Sequence, residues 1–248
     1  LAAGDGTKTV YVRYIDAAGN VSGSFSDTII LDTTAPSGTI VINSGAAYTA
    51  GTSVTLALSA TDGLSGVAQM RLSNDGASWT SWVAYSTGGP WTLDVGDGIK
   101  TVYVQYRDNA GNDSVSFTDT IALDTTAPSG TIVINSGAAF TASTGVTLTL
   151  AAADAGSGVT HMRFSNDGAA WSGWEAYAAT RAWTLTASDG LKTVYVQYRD
   201  ALNNASGSFT DTITLDTTAP AGTIVINAGA ACTTAATVTL SLSASDAG

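Results

Sequence analysis

The string DTTAP occurs three times, at Asp32–Pro36, Asp124–Pro128 and Asp216–Pro220, each 92 residues after the last. A repeated unit has to fold the same way in every copy and bury its own apolar face, so this period constrains the fold more than any bulk property. The chain between follows the same period: residues 96–128 and 188–220 match at 25 of 33 positions, and GTIVIN, SNDG and KTVYVQYRD return in phase. Three of the four prolines (Pro36, Pro128 and Pro220) stand in the repeated junction. A proline fixes its own φ and pushes the preceding residue to extended geometry, so the junctions read as short, stiff linkers.

The period divides the 248 residues into the C-terminal half of a repeat (1–31), complete repeats over 32–123 and 124–215, and the N-terminal part of another over 216–248. Joined together, the two incomplete pieces would still lack the section corresponding to Ser65–Thr92. The expectation is therefore a segment of a longer repeat array.

Within a unit the apolar residues alternate with period two and show no helical period. Val54, Leu56, Leu58 and Ala60 share one face of a strand, and Val146, Leu148, Leu150, Ala152 repeat it. Val102, Val104 and Tyr106 form another such face, and Phe117, Ile121 and Leu123 a third. Asn74-Asp75-Gly76 and Asn166-Asp167-Gly168 signal tight turns. The segments 38–43, 53–61, 67–73, 82–85, 90–93, 100–107 and 117–123 give about seven short strands in some 90 residues. That is the pattern of an all-β fold of tandem immunoglobulin-like sandwiches in an extended rod. The acidic side agrees: nineteen Asp stand against a single Glu (Glu175), and Asp collects in turns and caps rather than on helix surfaces.

The runs YVQYRDNAGN (Tyr103–Asn112), SFTDTIALDTTAP (Ser116–Pro128) and SGVAQMRLSNDGASW (Ser65–Trp79) resemble the bacterial Ig-like (Big-type) tandem repeats of large secreted or surface-anchored proteins. The resemblance covers the whole chain. It implies a β-sandwich bead in an extracellular, cell-surface rod, often part of an adhesin or surface fibre, and in some such proteins calcium at the bead junctions. The antibody pattern is not met: one cysteine cannot form an intrachain disulfide, and Lys100 stands where many sandwiches keep a tyrosine corner. In the third copy of the turn, Asp200-Ala201-Leu202-Asn203-Asn204, the motif's glycine is lost.

Composition excludes several function classes. A net charge of −11 repels nucleic-acid phosphates and anionic lipid, and no apolar stretch approaches the ~20 residues of a membrane helix, so neither nucleic acid nor membrane insertion is expected. An enzyme is not expected either. The one histidine, His161, takes the slot of Gln69, and the one cysteine, Cys232, takes the slot of Tyr48 and Phe140 and reads as a partly buried filler.

Three sets of residues carry candidate chemistry. In an Ig-like sandwich the place where the chain enters, the loop after the second strand and the last hairpin turn lie at one end. There the complete repeats carry Asp32, Asp62 and Asp108, and Asp124, Asp154 and Asp200. Three carboxylates with nearby amide and backbone carbonyls could supply the six to eight oxygens calcium wants, while Asp-built turns account for the same residues without metal, and no DxDxDG loop is present. Trp79, Trp82 and Trp91 recur as Trp171, Trp174 and Trp183; Trp79, Trp82, Trp171 and Trp174 are sugar-stacking candidates if exposed, against a role in the core. Asn20, Asn112 and Asn204 open Asn-x-Ser strings on one hairpin turn and are glycosylation candidates, though turn geometry also favours Asn there. The Thr-Thr-Ala-Pro junctions would suit O-glycans. Asp27, Asp119 and Asp211 fall on the inward phase of their strand, as a guard against edge aggregation or as a bulge.

The expected role is structural: a stalk segment or fibre building block whose partners are further copies of the repeat in the same chain, and neighbouring chains in a fibre. A carbohydrate-binding array and a calcium-rigidified adhesin stalk are the alternatives.

Overall fold

The computed structural model describes residues 1–246. The chain forms two compact units, Leu1–Thr125 and Thr126 onward. Each holds one complete sandwich and one antiparallel hairpin.

In the first unit the hairpin is β1 (Gly6–Val12) paired with β2 (Phe25–Leu31). The sandwich follows as β3 (Ser37–Ile42), β4 (Tyr48–Thr49), β5 (Ser53–Thr61), β6 (Val67–Ser73), β7 (Val83–Ala84), β8 (Gly88–Thr92), β9 (Gly98–Asp108) and β10 (Phe117–Leu123). One sheet has the order β3-β5-β8 and the other β4-β10-β9-β6-β7. The second unit repeats this with β11 (Ser129–Ile134), β12 (Phe140–Thr141), β13 (Gly145–Ala153), β14 (Val159–Ser165), β15 (Glu175–Ala176), β16 (Thr180–Thr184), β17 (Gly190–Asp200) and β18 (Phe209–Leu215). Its sheets run β11-β13-β16 and β12-β18-β17-β14-β15, and the hairpin β19 (Ala221–Ile226) with β20 (Leu240–Ser245) closes it.

The alternating faces become the cores. Val54, Leu56 and Leu58 of β5 meet Val102, Val104 and Tyr106 of β9 and Ile121 of β10, all buried, and the second unit uses Val146, Leu148, Leu150, Val194, Val196, Tyr198 and Ile213. Each such aliphatic side chain contributes about 1.5–3 kcal/mol by leaving water.

An eighth, two-residue strand was not expected from the pattern. After β3 the chain makes a left-handed turn at Asn43 (φ 44°) and Ser44 (φ 56°), and β4 then pairs in parallel with β10. Asn tolerates positive φ, and here it also accepts the Thr55 N–H through Oδ1 at 2.8 Å. The same turn recurs at Asn135 (φ 44°), whose Oδ1 takes the Thr147 N–H at 2.9 Å. The turn carries the chain from one sheet to the other.

That switch leaves the last N–H of β3 facing away from β5. Asp119 Oδ2 accepts it, from Ile42 at 2.7 Å, and Asp211 Oδ2 accepts the Ile134 N–H at 2.7 Å. The inward aspartates are thus a clasp between the two sheets, neither a bulge nor an edge guard. In the first hairpin the Asp27 carboxylate accepts the N–H of its neighbour Thr28 at 2.8 Å.

A buried tyrosine does return its hydroxyl to the backbone, from Tyr106 rather than from the Lys100 slot: Oη donates to the Thr39 carbonyl at 2.8 Å. Its ring lies over Gly38, where a Cβ would stand 2.5 Å from Tyr106 Cε2 and 2.5 Å from the Ser59 carbonyl oxygen. Tyr198 repeats the bond to Thr131 O at 2.6 Å, over Gly130. Burial, and then the neighbouring phenol of Tyr85 or Tyr177, holds both tyrosines above the ordinary phenol range. Cys232 is exposed and not a filler, and its counterparts Tyr48 and Phe140 are exposed too, because β4 and β12 lie at sheet edges.

Candidate functional site

Asp32 follows β2, Asp62 follows β5 and Asp108 ends β9. Each is held by turn geometry. Asp62 Oδ1 caps its own loop by accepting the Gly66 N–H at 2.7 Å and the Leu64 N–H at 3.2 Å. Asp108 accepts the backbone N–H of Asn112 at 2.8 Å on Oδ1 and the Asn112 Nδ2 at 2.7 Å on Oδ2. Asp32 accepts Thr34 N at 3.1 Å and reaches across to Ser65 N at 2.9 Å. Asn112 Nδ2 also donates to the Asp32 carbonyl at 3.1 Å, and Asn109 Nδ2 to the Ser65 carbonyl at 2.8 Å.

These bonds bring one oxygen of each of the three carboxylates within 4.8 Å of the others. Two ligands of one calcium ion, each about 2.4 Å from it, are at most about 4.8 Å apart, so the cluster has the right size for a shared cation. Asp32 and Asp108 are buried, at 7% and 2% exposure. Asp62 Oδ2 is buried with no hydrogen-bond partner. An unpaired buried carboxylate oxygen beside two other carboxylates is costly unless a cation faces it, so the donor set fits calcium on chemistry as well as size. Burial opposes ionisation of Asp108, and the Asn112 amide with the backbone N–H groups of Asn112, Gly111 and Ala110 outweighs it, holding the carboxyl below its ordinary range.

In the second unit Asp154 Oδ1 accepts Gly158 N at 2.8 Å, and Asp200 accepts Asn204 N at 2.8 Å and Asn204 Nδ2 at 2.7 Å. The glycine lost from this turn is replaced by Asn203 at φ 72°, the conformation Gly111 holds at φ 95° in the first sandwich. Asp124 follows β10, its N–H bonded to the Thr49 carbonyl at 3.0 Å.

Asn112 and Asn204 spend their amides closing these turns, as Asn20 does on Asp16 Oδ2 at 2.8 Å. The serines of the same strings, Ser114 and Ser206, are buried and accept the N–H of Tyr106 and Tyr198. Thr33 and Thr34 hydroxyls are likewise engaged, both donating to Asp5, at 2.9 and 2.8 Å. Asp97 takes Thr125 N and Oγ1 at 3.0 and 2.8 Å, and Asp189 takes Thr217 N and Oγ1 at 2.9 and 2.8 Å. This linker clasp was missed in the sequence, where Asp-Gly reads as a hairpin turn; its signal is an aspartate placed 28 residues before the first threonine of each junction. The threonine hydroxyls hold the carboxyls of Asp5 and Asp189 below their ordinary range, Thr34 leading at Asp5 and Thr217 at Asp189.

The tryptophans stand on the outer face of the five-stranded sheet, half-buried and already engaged. Arg71 Cζ lies 4.9 Å from the Trp79 ring and 4.6 Å from Trp82, and Arg107 Cζ lies 4.2 Å from Trp82. Arg163 stands 4.9 Å from Trp171 and 4.6 Å from Trp174, and Arg199 4.7 Å from Trp174. Trp91 and Trp183 instead pack against the cores and donate Nε1–H to Asn74 and Asn166 at 2.7 and 2.8 Å. His161 Nδ1 lies 2.9 Å from Thr160 Oγ1.

No family model matches the chain, and no curated protein matches it. Among solved structures it is similar to fibronectin(III)-like modules of Clostridium thermocellum CbhA, at 17% identity over 71% of this chain and 93% of that one, with a TM-score of 0.37. It is also similar to a tetra-tandem repeat in the extending region of a large adhesion protein (19% identity, 90% of this chain, 60% of that one, TM-score 0.31). A third likeness is to the D00-D0 domain of intimin, at 12% identity over 72% of this chain and 99% of that one, with a TM-score of 0.32. The sheet order described above, repeated in both units, makes the chain an all-β protein of Ig/fibronectin III-like sandwiches.

Proposed function

We propose that this chain is a structural repeat segment of a long extracellular surface protein, serving as a stalk or fibre building block whose linkers are stiffened by calcium. The observation that carries it is the double grip on the Asp32–Thr34 linker. Thr33 and Thr34 are tied back to Asp5 of the preceding hairpin, while the Asp32 carboxylate is held against Asp62 and Asp108 of the sandwich that follows. A linker held on both sides transmits force and restricts bending. Calcium would be held by Asp32, Asp62 and Asp108; bound there, it offsets the charge repulsion and adds its binding free energy to the folded state.

Two measurements test this. Single-molecule extension should give equal unfolding steps for the two complete repeats, each releasing about 300 Å of contour for 92 residues. Unequal steps, or unfolding at negligible force, would refute the mechanical role. Calorimetric melting in calcium and in chelator reads the ion: chelation should lower the transitions, and Asp62→Asn should remove the shift of the first sandwich. Identical melts in both conditions would sink the calcium reading alone.

A further inference from the structure

The outer face of the second sandwich differs from that of the first around one arginine. In the first, Asp113 lies cross-strand from Arg107 and takes its Nε–H and Nη2–H, at 2.5 and 2.9 Å. In the second, the same bridge pairs Arg199 with Ala205. The carboxylate is gone, and the arginine's cross-strand neighbour changes from Gln69 to His161, while Trp171, Arg163 and Trp174 repeat Trp79, Arg71 and Trp82, and Arg163 donates to Gln197 Oε1 at 2.8 and 2.6 Å. Arg199 Nε is left buried with no hydrogen-bond partner. A buried guanidinium N–H without an acceptor is unfavourable, so a binding partner is favoured if it brings a carboxylate to the place Asp113 fills in the sister copy.

We infer that Arg199, Trp174 and Ala205 form a binding site for the single carboxylate of an acidic sugar, such as a terminal uronic acid. The sister sandwich supplies the template, because Asp113 on Arg107 shows the bidentate bond the ligand would make. Trp174 stands beside the cation, 4.7 Å from Arg199 Cζ, and an aromatic neighbour suits a pyranose ring better than a flexible acyl chain. The chain's net charge of −11 disfavours polyanions such as nucleic acid or a strongly acidic protein, whereas one carboxylate in contact with one guanidinium is governed by the local pair.

The test uses the full chain, with methyl glucuronide, methyl glucoside and acetate as probes, read by calorimetry and tryptophan fluorescence. The glucuronide should bind at one site per chain, at least tenfold more tightly than the glucoside or acetate. Ala205→Asp, which restores the internal partner, should weaken it at least tenfold, and Asp113→Ala should raise the stoichiometry from one to two. Each variant carries the residue its sister copy already holds, so both are compatible with the fold. Absence of glucuronide binding, equal affinity for either control probe, or indifference to Ala205→Asp would overturn the inference.

Discussion

Gly38→Ala puts the fold's most specific contact to the test. In an ordinary strand that replacement is stabilising by about 0.5–1 kcal/mol, because glycine loses more freedom on folding. Here the new Cβ would stand 2.5 Å from the Ser59 carbonyl oxygen and 2.5 Å from Tyr106 Cε2, about an ångström inside ordinary contact. Neither neighbour can retreat cheaply. Ser59 belongs to β5, and Tyr106 is pinned through its hydroxyl to Thr39 and packed between Tyr85 and Phe117, with ring centroids at 5.8 and 5.9 Å. Overpacking of this kind costs about 1–3 kcal/mol, and losing the tyrosine bond about 1 more. The net expectation is a loss of about 2–3 kcal/mol, which for a domain of this size lowers one melting transition by roughly 10–20 °C. Gly130→Ala should do the same to the other sandwich, where the Cβ would stand 2.5 Å from Tyr198 Cε2 and 2.7 Å from the Ala151 oxygen. Gly89→Ala is the control, since nothing lies within 4 Å of its Cβ position. Differential scanning calorimetry of the full chain decides: if Gly38→Ala and Gly89→Ala melt within 2 °C of each other, the ring does not rest on Gly38 as described.

Alkaline pH should act on the same pair. Tyr106 and Tyr198 have folded pKa values raised above the unfolded value near 10, so their contribution is complete below about pH 10 and is lost as pH rises towards the folded value, at about 1.4 kcal/mol per pH unit for each. Urea melts between pH 9 and 11 measure it, and a flat profile would contradict their burial. Asp119→Ala should cost about 1–2 kcal/mol by leaving the Ile42 N–H without its acceptor, and Asp119→Asn, which keeps an oxygen there, should cost less; equal losses would mean the clasp is not the reason. Asp113→Ala removes an ion pair whose side chains are 32% and 39% exposed, so it should cost under about 1 kcal/mol in the same assay.

Much of this was legible in the residues because it is local. Alternation in Val54–Ala60 and Val102–Tyr106 marks which face is buried, since a strand's side chains alternate regardless of what they meet. The three aspartates of the candidate site could be named because each sits in a turn whose position in a sandwich is set by strand order. The short strand β4 could not, for two residues carry no period. Nor could the clasp of Asp97 on Thr125 or of Asp119 on Ile42, which join residues 28 and 77 positions apart, while Asp in such contexts equally builds a turn. The tryptophans show the same limit: their recurrence is visible, but their engagement by Arg71, Arg107, Arg163 and Arg199 depends on cross-strand register.

The sequence by itself determined the repeat, the all-β character and the residues able to gather at one end of each sandwich. Period and alternation are properties of the chain that no packing can alter. The tertiary structure decided which aspartates share a space, which are spent on backbone N–H groups, and that Asp62 keeps an unpaired buried oxygen. It also decided that replacing Asp113 by Ala205 leaves a guanidinium without its acceptor. Such differences arise only when side chains from distant strands compete for the same few hydrogen-bond partners, and that competition exists only in the folded protein.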